Sequence, residues 1–241
     1  MESSDVRVEL VVFDVAGTTV RDDDAVHDCL RQALAAAGVA VTRDEVNEVM
    51  GMAKPVAIGK LLDRHGGGPR ATDAQISEVH TSFVHRMIAH YQHAAGVEPM
   101  PHAEETFREL RNAGVRVALD TGFSRVILDT ILDRLGWTGG GSRLLDATVA
   151  SDEVEHGRPH PDMIERAMQL TGVTRAEAVA KVGDTPSDLE EGTAAHCGLV
   201  IGVMNGSHTG EQLQRAPHTH LISHLGLLTK VILGQNLVTA R

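Results

Sequence analysis

The sequence of 241 residues has few cysteines, no cluster of basic residues and no long apolar run. Its two cysteines, Cys29 and Cys197, are too few for a disulfide framework and lack metal-finger spacing, so we expect two reduced, mostly buried thiols. The net charge of −11 argues against nucleic acid or a membrane surface as a partner. The chain has neither an apolar stretch of roughly 18 residues that could span a bilayer nor a signal-peptide pattern at its start. These absences favour a cytoplasmic globular protein that acts on a small molecule.

Strand-like and helix-like segments alternate through most of the chain, and hydrophobic residues make up 42% of it, enough for a sizeable core. Short apolar runs predict strands at residues 8–13, 115–119, 146–150, 178–182 and 198–203. Helical patterns that stop at glycine occupy residues 101–114, 124–136 and 160–172. Alternation of this kind predicts an α/β fold, with a doubly wound parallel sheet and helices on both faces.

Residues 21–99 interrupt this alternation, because they contain no convincing strand. Four amphipathic helical patterns lie there, at residues 22–38, 42–51, 54–66 and 72–91, with a loop at residues 65–70. Two prolines in "VEPMPH" indicate a stiff connection and a hinge at the end of the segment. We therefore predict a core formed by residues 1–20 and 100–241, with an all-helical domain of residues 21–99 inserted after strand 1.

Polar residues follow three of the predicted strands at the edge where open parallel sheets bind ligands. Asp14 ends strand 1, Thr121 follows strand 2, and Asp184 and Asp188 follow strand 4. Each alone is an ordinary turn or helix-capping residue. Three carboxylates at one edge would repel one another without a cation, and oxygen ligands suit Mg²⁺. Arg158, after strand 3, adds a positive charge for an anionic substrate, so the combination predicts a site for a phosphate-like group.

The segments "FDVAGTT", "LDTG", "GRPHPDM" and "KVGDTPSD" resemble the four ordered motifs of the haloacid dehalogenase (HAD) superfamily. The resemblance covers essentially the whole chain. It implies a Rossmann-like core, a mobile cap formed by the helical insert, Mg²⁺ as cofactor, and an aspartate that forms an aspartyl-phosphate. It makes Asp14 the nucleophile and a metal ligand, Ala16 a ligand through its backbone carbonyl, and Asp184 and Asp188 the remaining metal-site residues.

The resemblance also implies which residues contact the substrate. Thr121 would hydrogen-bond the phosphoryl oxygens and Arg158 would complete the catalytic set. Gly17, Thr18 and Gly122 would contribute to substrate binding.

Ala16 departs from the usual HAD phosphatase pattern, which has an acid two residues after the nucleophile to protonate a leaving oxygen. The combination of Ala16, Arg158 and a lysine after Met-Gly, Lys54, resembles the phosphonatase-like subfamily, which is similar to phosphonoacetaldehyde hydrolase. There the lysine forms an imine with the substrate aldehyde, which accepts the electrons of the broken carbon–phosphorus bond. We expect burial to lower the pKa of Lys54 to roughly 7–8. Ala57 is a further departure, because phosphonatase has a proton-shuttling histidine at that position.

The sequence leaves three functions open: carbon–phosphorus bond cleavage in phosphonoacetaldehyde or a related phosphonate, hydrolysis of a small phosphate monoester, and a non-catalytic phospho-ligand sensor. Retention of all the charged motif residues argues against the sensor. The P-loop, dinucleotide-binding and nucleophile-elbow motifs are absent. The resemblance suggests a homodimer formed through the cap. The 14 histidines lack zinc-like spacing and are interpreted as ordinary surface and core residues.

Overall fold

The computed structural model describes residues 7–65, 70–138 and 144–238, and its core is one parallel six-stranded sheet. The strands lie in the order β3-β2-β1-β4-β5-β6, and every neighbouring pair is parallel. Their bounds are β1 Leu10–Asp14, β2 Arg116–Thr121, β3 Ala147–Ala150, β4 Val179–Gly183, β5 Leu199–Val203 and β6 His220–Ile222. The predicted doubly wound α/β fold is confirmed, with β1 in the interior of the sheet.

Helices cover both faces of the sheet, because successive side chains of the central strand point in opposite directions. Val11 and Phe13 of β1 join a large apolar cluster with the core helices α5 Ala103–Asn112, α6 Arg125–Leu135 and α10 Leu228–Val238, whereas Leu10 and Val12 pack with α7 Asp162–Thr171. The other core helices are α8 Pro186–Ala194 and α9 Gly210–Leu213. The predicted glycine stops at Gly136 and Gly172 are confirmed, since both adopt the left-handed conformation.

Among the described residues between β1 and α5 there are four helices, as the sequence predicts. They are α1 Ala25–Ala36, α2 Arg43–Asn47, α3 Lys54–His65 and α4 Asp73–His93. Thr42 and Glu45 form the reciprocal cap that starts α2. Most of the predicted loop at residues 65–70 lies outside the described residues. Among the helices that the structure describes, none combines the length and the apolar character needed to cross a bilayer.

The sequence-based strand assignment was wrong at the C-terminal edge of the sheet. The sequence patterns predict residues 198–203 as the last strand, whereas the structure has a further strand, His220–Ile222 (β6), beside β5. A three-residue edge strand that begins with a histidine has too short an apolar run to be recognised from periodicity. The cysteines are free, as expected, but each is half-buried.

Candidate active site

Asp14 ends β1 in the interior of the sheet, and the turn after it fixes its position. The Thr19 hydroxyl donates a hydrogen bond of 2.9 Å to the carbonyl of Asp14. Gly17 in this turn has a φ of +89°, and a Cβ at Gly17 would lie 2.7 Å from Oδ2 of Asp184. Glycine is therefore required at position 17 both for the backbone conformation and for the approach of Asp184.

Asp14, Asp184 and Asp188 converge as predicted, and each offers an oxygen atom within 4.8 Å of the others. Asp184 and Asp188 are fully buried and Asp14 is 5% exposed. The Thr18 hydroxyl donates to Oδ1 of Asp184 at 2.9 Å, and the Ser207 hydroxyl donates to its Oδ2 at 2.7 Å. This all-oxygen, buried set fits a hard divalent cation such as Mg²⁺.

The pKa values of these acids indicate an excess of negative charge. Burial and the neighbouring Asp188 raise the pKa of Asp14 well above its usual value. Burial, again with Asp188, raises the pKa of Asp184 to about 6. A cation among these carboxylates would favour their ionised forms, and the nucleophilic role predicted for Asp14 requires ionisation.

The Arg158 guanidinium is fully buried and connects four carboxylates. Its Nη1 donates to Oδ1 of Asp14 at 2.6 Å and lies 3.1 Å from Oδ1 of Asp188. Its Nε donates to Glu191 at 2.8 Å, and its Nη2 forms an ion pair with Asp120. The geometry of a guanidinium fixes these donors relative to one another, so Asp120 and Glu191 orient the edge of Arg158 that faces Asp14.

Lys181 of β4 also belongs to this site, although it is not among the residues predicted from the sequence. Its ammonium group is fully buried between Asp120, Glu191 at 2.8 Å and Asp188 at 3.4 Å. Asp120, Asp188 and Glu191 lie close together, and nitrogen atoms of Lys181 and Arg158 lie among them, so these side chains form an ion-pair network. Burial and the charge of Asp120 raise the pKa of Glu191, whereas the charges of Lys181 and Arg158 oppose that shift.

Lys54 begins α3 and is 3% exposed, although lysine is rarely buried without a carboxylate partner. Its Nζ lies 5.3 Å from the ring centre of Phe123 and 5.9 Å from that of Phe83. Burial lowers its pKa to about 8, opposed by the negative charge of Asp14. At pH 7 about one tenth of Lys54 is thus an unprotonated amine, a far larger share than in an exposed lysine.

Ala57 is fully buried on α3, where it places a methyl group at the position of the phosphonatase histidine. His80 of α4 is close enough to Lys54 for the lysine charge to act with burial in lowering the pKa of the imidazole. Ala16 is half-buried in the turn after Asp14. The side chain at position 16 therefore supplies no acid next to the predicted nucleophile.

The remaining predicted residues lie around the same edge of the sheet. Oγ1 of Thr121 accepts a hydrogen bond of 3.2 Å from the backbone N–H of Phe123. A Cβ at Gly122 would lie 2.5 Å from the carbonyl oxygen of Met52, so the helical insert packs directly on this loop. The Thr18 hydroxyl contacts Asp184, which ties this predicted substrate-binding residue to the metal-site acids.

A chain of buried and partly buried hydrogen bonds connects the acidic cluster to the insert. The Ser207 hydroxyl, which donates to Asp184, lies 3.0 Å from Nδ1 of His208. Nε2 of His208 lies 3.3 Å from the amide nitrogen of Asn47, and the amide oxygen of Asn47 lies 3.0 Å from Nε2 of His27. Because the Ser207 hydroxyl donates to Asp184, it accepts from Nδ1 of His208, and Nε2 of His208 then accepts from the Asn47 amide. An accepting Nε2 makes His208 neutral, whereas His27 donates from its Nε2 to the Asn47 carbonyl oxygen in either protonation state. Burial lowers the pKa of both imidazoles.

A family model described as haloacid dehalogenase-like hydrolase matches residues 8–196, which include all four motifs and the insert. The chain belongs to this family. As a HAD-like hydrolase it is 31% identical over 220 residues to phosphonoacetaldehyde hydrolase of Bordetella avium (strain 197N), with 87% of this chain and 76% of that protein covered.

Two further similarities extend this comparison. The HAD-like hydrolase is 26% identical over 243 residues to a bifunctional phosphonoacetaldehyde hydrolase/aminoethylphosphonate transaminase of Clostridioides difficile (strain 630), covering 93% of this chain but only 36% of that protein. It superimposes with a TM-score of 0.82 on a phosphonoacetaldehyde hydrolase-like protein from Oleispira antarctica, at 23% identity, with 97% and 94% of the two chains covered. The structural match supports the fold.

Proposed function

We propose that this hydrolase is a Mg²⁺-dependent, phosphonatase-like enzyme that cleaves the carbon–phosphorus bond of phosphonoacetaldehyde or a related phosphonate. The observation that carries the proposal is Lys54, a buried amine whose pKa is lowered to about 8 and on which the negative charge of Asp14 acts. An imine-forming lysine needs these two properties, an unprotonated nitrogen and a position next to the phosphoryl acceptor. Hydrolysis of a phosphate ester requires neither of these properties in a lysine.

In this mechanism Lys54 condenses with the substrate aldehyde and loses water to form a protonated imine. Asp14 then attacks phosphorus, the carbon–phosphorus bond breaks, and its electron pair moves into the imine to give an enamine. The enamine takes a proton on carbon and is hydrolysed from Lys54, while water releases phosphate from Asp14. Because the leaving atom is carbon, Ala16 in place of an acid does not impair the step.

The phosphoryl group would be held by Thr121, Gly122 and Arg158, with the turn at Gly17 and Thr18 beside it. Arg158 already contacts Asp14 and would carry positive charge to the phosphoryl oxygens as they approach. Asp14, Asp184 and Asp188, with the Ala16 carbonyl, would hold Mg²⁺, which supplies further positive charge for those oxygens when bound. We propose that residues 21–99 act as the cap that encloses the substrate.

Borohydride trapping tests this function directly. Reduction in the presence of phosphonoacetaldehyde should leave an N-ethyl group on Lys54, read by peptide mass spectrometry, because the imine left after phosphoryl transfer carries two carbons. Lys54→Ala should lose the adduct and the turnover, and Asp14→Asn should lose turnover by roughly 10⁴-fold or more.

Lys60→Ala is the matched control, since Lys60 is an exposed lysine on the same helix and should change neither adduct nor turnover. Absence of an adduct together with unaltered turnover in Lys54→Ala would overturn the proposal. Efficient turnover of phosphate monoesters by the same Lys54→Ala variant would then identify a capped phosphatase.

A further inference from the structure

Asp184 is held by hydrogen bonds at both of its carboxylate oxygens. Oδ1 accepts a hydrogen bond of 2.9 Å from the Thr18 hydroxyl. Oδ2 accepts two from Ser207, one of 2.6 Å from the backbone N–H and one of 2.7 Å from the hydroxyl. A carboxylate has about four lone-pair positions, so these donors leave one position, on Oδ1, for a cation. The loop after β5 therefore helps to decide the direction in which this metal-site acid can bind a metal.

The Ser207 hydroxyl has a single hydrogen and two neighbours that could accept it. Its Oγ lies 2.7 Å from Oδ2 of Asp184 and 3.0 Å from Nδ1 of His208. If Nδ1 carries a hydrogen, the hydroxyl accepts from the imidazole and donates to Asp184. If Nδ1 is bare, it competes with Asp184 for the hydrogen of Ser207. The tautomer of His208 thus determines whether the hydroxyl donates to the carboxylate or turns a lone pair towards it.

Asn47 of the insert selects the tautomer of His208. Its amide nitrogen lies 3.3 Å from Nε2 of His208, and its amide oxygen lies 3.0 Å from Nε2 of His27, which fixes the orientation of the amide. An amide nitrogen only donates, so Nε2 of His208 accepts and the ring hydrogen is on Nδ1. The side chains of His27, Asn47 and His208 are all buried, so water has little access to these atoms as an alternative partner.

We propose that Asn47 and His208 are positioning residues for the Mg²⁺ site, because they keep the hydrogen bond of Ser207 on Asp184. This inference rests on the Mg²⁺ site of the proposed function and is independent of its substrate and of Lys54. Hydrogen-bond partners of metal ligands orient those ligands, and losing such a partner lowers metal affinity by about 10–100-fold. The insert thereby contributes to the affinity for Mg²⁺ through Asn47, a residue that is not itself a ligand.

The dissociation constant for Mg²⁺, measured by titration calorimetry on the substrate-free protein, tests this role. His208→Leu removes the donor to Ser207, and Asn47→Leu removes the group that selects its tautomer. Each should raise the dissociation constant by about 10-fold or more. His208→Asn should bind Mg²⁺ several-fold more tightly than His208→Leu, because an asparagine amide can place an N–H at the position of Nδ1. A cooperative melting transition of each metal-free variant verifies that it is folded.

Asn205→Ala is the matched control, since Asn205 is an exposed asparagine of the same loop, and it should leave the dissociation constant unchanged. If folded His208→Leu and Asn47→Leu bind Mg²⁺ as tightly as the wild type, the positioning role is wrong while the proposed function stands. Equal losses in His208→Leu and His208→Asn would also overturn it, because the hydrogen on Nδ1 would then not be the cause. If the wild type binds no Mg²⁺, the metal site of the proposed function fails first.

Discussion

Lys54 is a residue whose burial conflicts with its charge. Its pKa of about 8 lies below the ordinary value of 10.5 because burial disfavours the ammonium form. Between these two pH values the unfolded chain binds more protons at this residue than the folded chain does. The free energy of unfolding therefore includes a contribution that is fully present above 10.5 and is lost as the pH falls through 8.

Replacing Lys54 with Met should therefore stabilise the protein while abolishing imine formation. We expect a gain of about 1–3 kcal/mol in the free energy of unfolding at pH 7, which shrinks as the pH rises from 8 towards 10.5. Urea unfolding at several pH values measures it. Lys60→Met, an exposed substitution on the same helix, should show no comparable pH dependence. A Lys54→Met protein less stable than the wild type at pH 7 would contradict this account.

Single residues differ in how far the sequence reveals them. Asp14, Arg158 and Asp184 could be identified because they follow strands in a recognisable order, and the structure brings them together. Lys181 left a usable signal, since a lysine within a strand that is apolar on both faces must have buried partners.

At the scale of elements, the loop after β5 and the helices α1 and α2 are joined by polar contacts. His208 in this loop reaches Asn47 at the end of α2, and Asn47 reaches His27 in α1. Because His208 also contacts Ser207, whose hydroxyl donates to Asp184, a change in the position of α2 reaches the metal-site acids through hydrogen bonds. Sequence patterns placed these elements but not this connection, since it depends on side chains 161 positions apart.

Asn47→Ala should weaken the contact between α2 and the loop after β5. It leaves the two imidazole nitrogens without partners, so we expect the free energy of unfolding to fall by about 1–3 kcal/mol and kcat/KM to fall with it. Chemical denaturation and steady-state kinetics measure the two effects. Asn112→Ala, an exposed asparagine at the end of α5, is the control. Unchanged stability in Asn47→Ala would show that these hydrogen bonds contribute nothing measurable.

Across the whole molecule, residues of the insert lie so close to the loops that follow the strands of the sheet that an added Cβ atom would not fit between them. A Cβ at Gly51 of the insert would lie 2.4 Å from Oγ1 of Thr185, and a Cβ at Gly122 would lie 2.5 Å from the carbonyl oxygen of Met52. Distances this short leave no space for a methyl group on either side. The fold class and the insert could be predicted from sequence because they follow from periodicity, whereas this degree of closeness could not.

Gly122→Ala should therefore push the insert away from the sheet. Its φ is not in the left-handed region, so the methyl group acts through its contacts with the backbone of Gly51 and Met52, whose carbonyl oxygens would lie 2.8 Å and 2.5 Å from the Cβ. Because an error of about 1 Å in positioning can lower activity roughly 10²-fold, we expect a loss of that order in kcat/KM with little change in melting temperature. Gly234→Ala in α10 is the control, since a Cβ there meets no described atom within 4 Å. Wild-type kinetics in Gly122→Ala would show that the interface adjusts without cost.

The interior position of β1 also has a consequence for protein synthesis. This strand is made before both of its neighbours, β2 and β4, and the acids that meet Asp14 come from positions 184 and 188. At about 5–20 residues per second, roughly 10–35 s of translation separate the emergence of Asp14 from that of Asp188. During this interval an apolar strand has no sheet to join and is a natural target for chaperones, and the acidic cluster is complete only after residue 188 has emerged.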